Sequence, residues 1–145
     1  MTSNAGRSTE KLYSPRLLAL SASLADFPFD SALPLTTEAR SRTCGSTIRL
    51  GLDRDRDGSI VRIGVSVAAC AVGQSSAAIM AGSIRGRNAD DLSILVDQID
   101  HWLSGEGPLP GWPEFDALEA ARAHPGRHEA LKLPWKAALE ALCSG

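Results

Sequence analysis

The sequence predicts an α+β fold in which a small antiparallel three-stranded sheet packs against a mainly C-terminal set of helices. Between Thr36 and Val67, apolar and polar residues alternate with a period of two, which is typical of strands. After Cys70, the apolar residues recur with the spacing of amphipathic helices. Strands that come first and helices that come afterwards indicate an α+β arrangement.

The strands are predicted from two apolar runs and one shorter segment. Alternation runs from Ile48 to Leu52, and a β-branched run follows from Ile60 to Val67. Asp57-Gly58 lies between these runs and is a typical hairpin-turn pair. A short strand from Ala39 to Arg42 completes the predicted meander.

Helices are predicted on both sides of the strand region. The first begins at Pro15 behind a Ser14 cap and ends before Pro28. Four more are expected at Ser75 to Arg85, Ala89 to Leu103, Glu114 to Ala123 and Glu129 to Leu142. The Gly- and Pro-rich segment 105–113 is predicted to be a loop. Residues 1–11 are polar and are predicted to be a mobile lead before a single domain at 12–145.

Composition and charge exclude several classes of partner. The chain has 145 residues, of which 43% are apolar, and its net charge of −2 provides no basic surface for nucleic acid or an anionic membrane. The longest nearly apolar run, Ile63 to Gly73, is far shorter than the ~20 residues of a membrane span. The N-terminus lacks the apolar core of a signal peptide, and three widely spaced cysteines fit a reducing compartment. We therefore expect a soluble cytoplasmic protein with no nucleic-acid or membrane partner.

The predicted hairpin turn contains the beginning of a calcium-loop motif. Asp53, Asp55 and Asp57 precede Gly58 with the spacing of an EF-hand loop. Gly64 stands at the twelfth position, where the motif requires a bidentate Glu, and the flanking segments are strand-like. We expect a solvated turn here, with a calcium-binding module as the remote alternative.

Two cysteines lie at the ends of predicted strands. Cys44 is followed by Gly45, and Cys70 precedes a run of small residues that leads into a helix. A thiol just ahead of a helix N-terminus lies in a positive field, which favours the thiolate. The spacing alone leaves two interpretations open, namely a pair of buried structural cysteines and a paired reactive or metal-binding site. The residues His101, Trp102 and His124 have no catalytic partner in sequence, and we expect structural roles for them.

Several segments, taken in order, resemble one known family. They are Leu12-Tyr13, Cys44-Gly45, the hairpin 51–67, the run 69–80 from Ala69 to Met80, and in the C-terminal part residues 115–120, Arg127, Leu133, Trp135, Lys136 and Ala137. Together they resemble the IscU/NifU N-terminal family of iron–sulfur cluster assembly scaffolds, and in particular its SufU-like branch. The resemblance extends over residues 12–142.

The resemblance implies a site of three cysteines and one aspartate, which binds zinc or holds a transient iron–sulfur cluster. Cys44 and Cys70 match the first two cysteines. Ser46 stands at the position of the aspartate, and Ala130 stands at the position of the third cysteine. Two of the four usual ligand positions are therefore substituted, and we expect weak metal binding or none.

Two neighbours of Ala130 are candidate substitute ligands. Glu129 and His128 lie at the start of the last predicted helix, and a carboxylate or an imidazole is an acceptable zinc ligand. Cys143 lies more than three helical turns beyond Ala130, about 20 Å along a continuous helix, so we expect no role for it.

The resemblance implies a sulfur acceptor or carrier that receives sulfur from a cysteine desulfurase through Cys44 and Cys70, with Cys44 as the persulfide acceptor. Any enzymatic activity is at most a sulfur transfer. The alternative is a degenerate paralogue that acts as a non-catalytic binding or regulatory module of the assembly machinery. The loss of the ligands at Ser46 and Ala130 favours this alternative, and the sequence leaves the oligomeric state open.

Overall fold

The computed structural model of the protein describes residues 12–144, so the predicted mobile lead at residues 1–11 lies outside the described residues. The described part contains one sheet, four α-helices and three 3-10 segments. In chain order they are α1 (Pro15–Ser23), a 3-10 turn (Leu24–Asp26), β1 (Leu35–Arg40), β2 (Thr47–Arg54), β3 (Ile60–Ala68), α2 (Ala71–Ser83), α3 (Ala89–Leu103), two 3-10 segments (Phe115–Ala123 and Pro125–Arg127) and α4 (His128–Ser144).

The sheet is antiparallel with the strand order β1-β2-β3, which confirms the predicted α+β class. Arg40 pairs with Thr47, and Thr47 pairs in turn with Ala68. The loop between β1 and β2 therefore lies at the same end of the sheet as the segment that follows β3. The first strand begins at Leu35 and ends at Arg40, so the predicted strand from Ala39 to Arg42 was placed too late.

The β2–β3 connection is the predicted hairpin turn, with Gly58 in the left-handed region at φ +85°. The Asp55 carboxylate accepts the backbone N–H groups of Asp57 and Ser59, both at 3.0 Å. The Asp55 side chain of the aspartate motif thus stabilises the hairpin turn through these hydrogen bonds. Across residues 12–144, no three His, Cys, Asp or Glu side chains gather as a metal-ligating group.

Helix α2 is buried along most of its length, which explains its small residues. The Ser75 hydroxyl donates to the Leu17 carbonyl of α1 at 2.7 Å, and the Ser76 hydroxyl donates to the Leu131 carbonyl of α4 at 2.6 Å. Ser76 also accepts the indole N–H of Trp135 at 2.7 Å. Short hydroxyl side chains let α2 lie close to both neighbours while all these polar groups are hydrogen-bonded.

Two predicted helices differ from the structure. The segment expected as an α-helix from Glu114 to Ala123 is a 3-10 segment at Phe115–Ala123, and its buried residues Phe115, Leu118 and Ala121 recur every three positions along one face and pack into the core. Helix α2 begins at Ala71 rather than at the predicted Ser75 and ends at Ser83. The boundaries of α3 are as predicted, and α4 extends the predicted helix by one residue at its start and two at its end.

The 3-10 segment and α4 enclose an aromatic cluster in the core. Phe115 packs against Trp102 and Trp135 with ring centroids 5.5 and 5.7 Å apart, and Trp112 meets Trp135 edge-on at 5.0 Å. The indole of Trp112 donates to the Ile79 carbonyl at 2.9 Å, which ties the cluster to α2. Among the helices of residues 12–144, none has the length and apolar character needed to cross a membrane.

Candidate functional site

Cys44 and Cys70 line the same pocket, which has a volume of about 220 Å³. We call it the thiol pocket. It is lined by residues from the β1–β2 loop, the junction of β3 and α2, the 3-10 segment Pro125–Arg127 and the first turn of α4, namely Cys44, Gly45, Ser46, Ala68, Ala69, Cys70, Gly126, Arg127 and Ala130. The fold therefore brings together the two cysteines that the sequence identified and the alanine at the third cysteine position.

The local backbone explains why these segments meet. The β1–β2 loop is closed by a 2.8 Å hydrogen bond from the Ser41 N–H to the Ser46 carbonyl, and Gly45 adopts the left-handed φ of +71° that this tight loop requires. Cys70 is the N-cap residue of α2. A Cβ atom on Gly73 would lie only 2.8 Å from the Ala69 Cβ, so a glycine permits this close packing at the start of α2.

Cys44 is exposed, and two buried hydroxyl groups contact its sulfur. The Cys44 Sγ lies 2.8 Å from the Ser41 Oγ and 3.0 Å from the Ser46 Oγ. These hydrogen bonds, first that of Ser41 and then that of Ser46, lower the pKa of Cys44 below its ordinary value. Hydroxyl donors aimed at a sulfur stabilise its thiolate, which is the reactive form.

Arg127 carries the only charge among the side chains that line the pocket in the described part of the chain. Its Nε donates to the Tyr13 hydroxyl at 3.2 Å. This hydrogen bond is the main cause that raises the pKa of Arg127 above its ordinary value. The guanidinium is thus a permanent positive charge beside the two thiols.

The candidate substitute ligands lie outside the pocket lining. The Glu129 carboxylate is 3.4 Å from the Lys132 Nζ, and the His128 Nε2 is 2.9 Å from the Arg122 carbonyl. Cys143 is exposed in the last turn of α4. The remaining residues that the sequence singled out, His101, Trp102 and His124, lie on or beside α3 and the long 3-10 segment, and none of them lines the thiol pocket.

Sequence reasoning missed the contribution of Ser41 and the electrostatic position of Arg127. Ser41 precedes Cys44 by three residues, a spacing at which a serine hydroxyl commonly accepts a hydrogen bond from the backbone N–H of the later residue. This spacing is visible in the sequence and could have identified Ser41. Arg127 precedes Ala130 by three residues, but no local pattern indicates that it lines the same pocket as Cys44, which is distant in sequence.

The donor set of the thiol pocket does not fit the metal site that the resemblance implies. A structural zinc site uses four ligands, and iron–sulfur clusters are held mostly by four cysteines. The pocket offers two thiols, while Ser46 offers a neutral hydroxyl and Ala130 offers no donor. Within residues 12–144, one chain therefore does not supply a closed four-ligand metal site.

Comparison with solved structures places the fold. The chain is similar to an N-terminal NifU-like nitrogen-fixing protein from Brucella abortus, with a TM-score of 0.84 and 27% identity over 94% of this chain and 95% of that one. It is also similar to FiSufU, a putative iron–sulfur cluster assembly scaffold protein for the SUF system from Fervidobacterium islandicum AW-1, with a TM-score of 0.81 and 21% identity over 92% and 98%. No protein-family model matches the chain, and no curated protein does so significantly. The chain therefore has the fold of the NifU-like N-terminal and SufU scaffold proteins, which confirms the resemblance of its sequence.

Proposed function

We propose that this chain is a scaffold-like protein of iron–sulfur cluster assembly that accepts sulfur at Cys44 from a cysteine desulfurase. The fold is that of a NifU-like protein and of a protein described as a putative scaffold for the SUF system, which supports this class of function and a desulfurase as partner. The observation that carries the sulfur-acceptor role is Cys44, an exposed thiol that two buried hydroxyls contact. A cytosolic setting, which keeps thiols reduced, is part of this proposal.

The transfer step requires only a thiolate. The Cys44 sulfur attacks the terminal sulfur of the desulfurase cysteine persulfide and forms a new S–S bond. The S–S bond of the donor breaks, and the desulfurase cysteine leaves as a thiolate. The terminal sulfur is transferred without a change in its own charge, and the step involves no net oxidation or reduction. Because a stabilised thiolate is present at lower pH, the hydroxyl contacts of Cys44 favour this attack.

Intact-mass spectrometry tests the acceptor role. The reduced protein is incubated without oxygen with a SUF-type cysteine desulfurase and cysteine, and we expect the mass of one additional sulfur atom per chain. Cys44→Ser should abolish the addition, whereas Cys143→Ser, which removes an exposed thiol outside the pocket, should leave it intact. Sulfur that is added only at Cys143, or added equally to the Cys44→Ser variant, would overturn the proposal.

The second candidate is a non-catalytic binding or regulatory module, and the incomplete ligand set favours it. Ser46 and Ala130 line the pocket where the resemblance implies a carboxylate and a thiolate. A desulfurase that binds the chain in a pull-down experiment without transferring sulfur to Cys44 would support this candidate over the first.

Restoring the two donors tests whether these positions limit metal binding. We expect the natural protein to bind zinc weakly and to lose little thermal stability with a chelator. The combined substitution Ser46→Asp and Ala130→Cys should raise both the zinc stoichiometry and the Tm, because a ligand that binds only the folded state stabilises it. Zinc content and Tm are measured for both proteins with and without chelator. One tightly held zinc per natural chain would contradict the expectation.

A further inference from the structure

The thiol pocket has one fixed charge, and that charge is positive. No carboxylate is among the lining side chains in the described part of the chain, and Arg127 is the charged group. The neutral hydroxyls of Ser41 and Ser46 complete the polar surroundings of Cys44. A guanidinium repels divalent cations and binds anions, and hydroxyl groups donate hydrogen bonds to anions. The electrostatics of the pocket therefore favour an anionic ligand.

Arg127 is held in place by a neutral partner, so its charge is not neutralised. Tyr13 accepts its Nε hydrogen bond at 3.2 Å. Within residues 12–144, no carboxylate forms an ion pair with Arg127, in contrast to Arg16, which lies 3.0 Å from Glu114 and 2.8 Å from Asp116. The positive charge of Arg127 is thus available to a ligand in the pocket.

We infer that the thiol pocket is a receptor for anionic sulfur, in which Arg127 binds the negative charge of the sulfur species that reaches Cys44 or is carried on it. This inference rests on the proposed function, since it concerns the same cysteine. The ligand class is the terminal sulfur anion of a persulfide or polysulfide. Arg127 acts as a positioning residue through its charge, and Tyr13 orients it.

Two alkylating reagents of similar size isolate the effect of charge. Iodoacetate is an anion and iodoacetamide is neutral, and both alkylate the Cys44 thiolate. The ratio of their rate constants reports the local potential, because a change in thiolate content affects both rates equally. A single exposed charge contributes up to about 1 kcal/mol, so we expect Arg127→Gln to lower the iodoacetate-to-iodoacetamide ratio about five-fold. The measurement uses a Cys70→Ser, Cys143→Ser background, so that only Cys44 reacts.

Two variants and one condition make this test specific. Arg127→Lys keeps the charge and should keep most of the ratio, and Arg122→Gln, which removes a nearby arginine outside the thiol pocket, should leave it unchanged. Raising the salt concentration should lower the ratio in the protein that retains Arg127, because salt screens exposed charges. This last result does not depend on the folding of any Arg127 variant.

Inorganic tetrasulfide separates the inference from the proposed function, because it loads sulfur without a desulfurase. The Cys44 thiolate takes one sulfur atom from tetrasulfide, and trisulfide leaves with the electron pair of the broken S–S bond. We expect Arg127→Gln to slow this loading several-fold and Arg127→Lys to restore it. Loss of the Arg127 effect in both assays would overturn the inference even where the desulfurase labels Cys44. An Arg127 effect without any labelling by the desulfurase would support the inference and refute the proposed donor.

Discussion

Removing one of the two hydroxyl contacts should make Cys44 a weaker nucleophile at neutral pH. The Ser46 Oγ lies 3.0 Å from the Cys44 sulfur and is one of the two groups that lower the pKa of Cys44. Ser46→Ala removes this donor but keeps the backbone bond between Ser41 and Ser46 that closes the loop. The pKa of Cys44 should rise, and the fraction of thiolate at neutral pH should fall.

The magnitude follows from the strength of one such contact. A hydrogen bond to a charged group contributes about 1.5–3 kcal/mol. Cys44 is exposed, so water replaces much of the lost contact, and we take about 1 kcal/mol for the substitution. Since 1.36 kcal/mol corresponds to a tenfold change in an ionisation equilibrium, about 1 kcal/mol corresponds to a roughly five-fold lower alkylation rate at neutral pH. Ser41→Ala should have a larger effect, because Ser41 makes the shorter contact.

Iodoacetamide alkylation of Cys44, followed by mass spectrometry from neutral to alkaline pH, measures this effect. The rate should rise at a lower pH in the natural protein than in Ser46→Ala, and the two rates should converge once both thiols are ionised. Thr43→Ala is the matched control, because Thr43 precedes Cys44 but is not one of its two hydroxyl partners. Identical pH profiles for the natural protein and Ser46→Ala would refute the reasoning.

Two further predictions concern the packing that holds the site. Ser76→Ala should lower the free energy of unfolding by about 2 kcal/mol, because the buried Trp135 N–H loses its acceptor. Ser75→Ala removes only the hydroxyl that donates to the Leu17 carbonyl, so it should lower the free energy of unfolding less. Urea denaturation measures both. Gly64→Ala should destabilise the fold strongly, because a Cβ at this position overlaps the Pro28 carbonyl. At Gly82 in α2, an added Cβ contacts no other atom, so Gly82→Ala should leave the stability unchanged or raise it. Equal effects of the two members of either pair would contradict the packing described.

The fold was predictable where local signals and burial agree. The β2–β3 hairpin has both an Asp-Gly turn and alternating strands, and Asn88 begins α3 with a capping box that includes Asp91. Local sequence patterns were less informative where the same pattern fits two kinds of secondary structure. The spacing of Phe115, Leu118 and Ala121 fits an amphipathic α-helix and a 3-10 segment alike, and their packing into the core decides between them.

The sequence predicted the two thiols of the candidate site, but it did not predict the positive charge beside them. Cys44 and Cys70 follow from the resemblance and lie just beyond the strand ends that the register brings to one end of the sheet. Arg127 reaches the pocket only because the 3-10 segment Pro125–Arg127 packs beside the end of β3 and the β1–β2 loop. Such a contact depends on tertiary packing, so a single sequence does not reveal it.

Position 46 decides which kind of ligand the pocket favours. A carboxylate beside Cys44 would add a metal ligand, but without a bound cation it would raise the pKa of the thiol by charge repulsion. The Ser46 hydroxyl has the opposite effect, since it lowers the pKa of Cys44 with no cation present. With Ala130 adding no charge and Arg127 adding a positive one, the pocket stabilises a thiolate without a metal. Ser46 and Ala130 remove two metal donors and leave Cys44 with a hydroxyl partner that favours its thiolate, and the proposed sulfur transfer requires such a thiolate but no closed metal site.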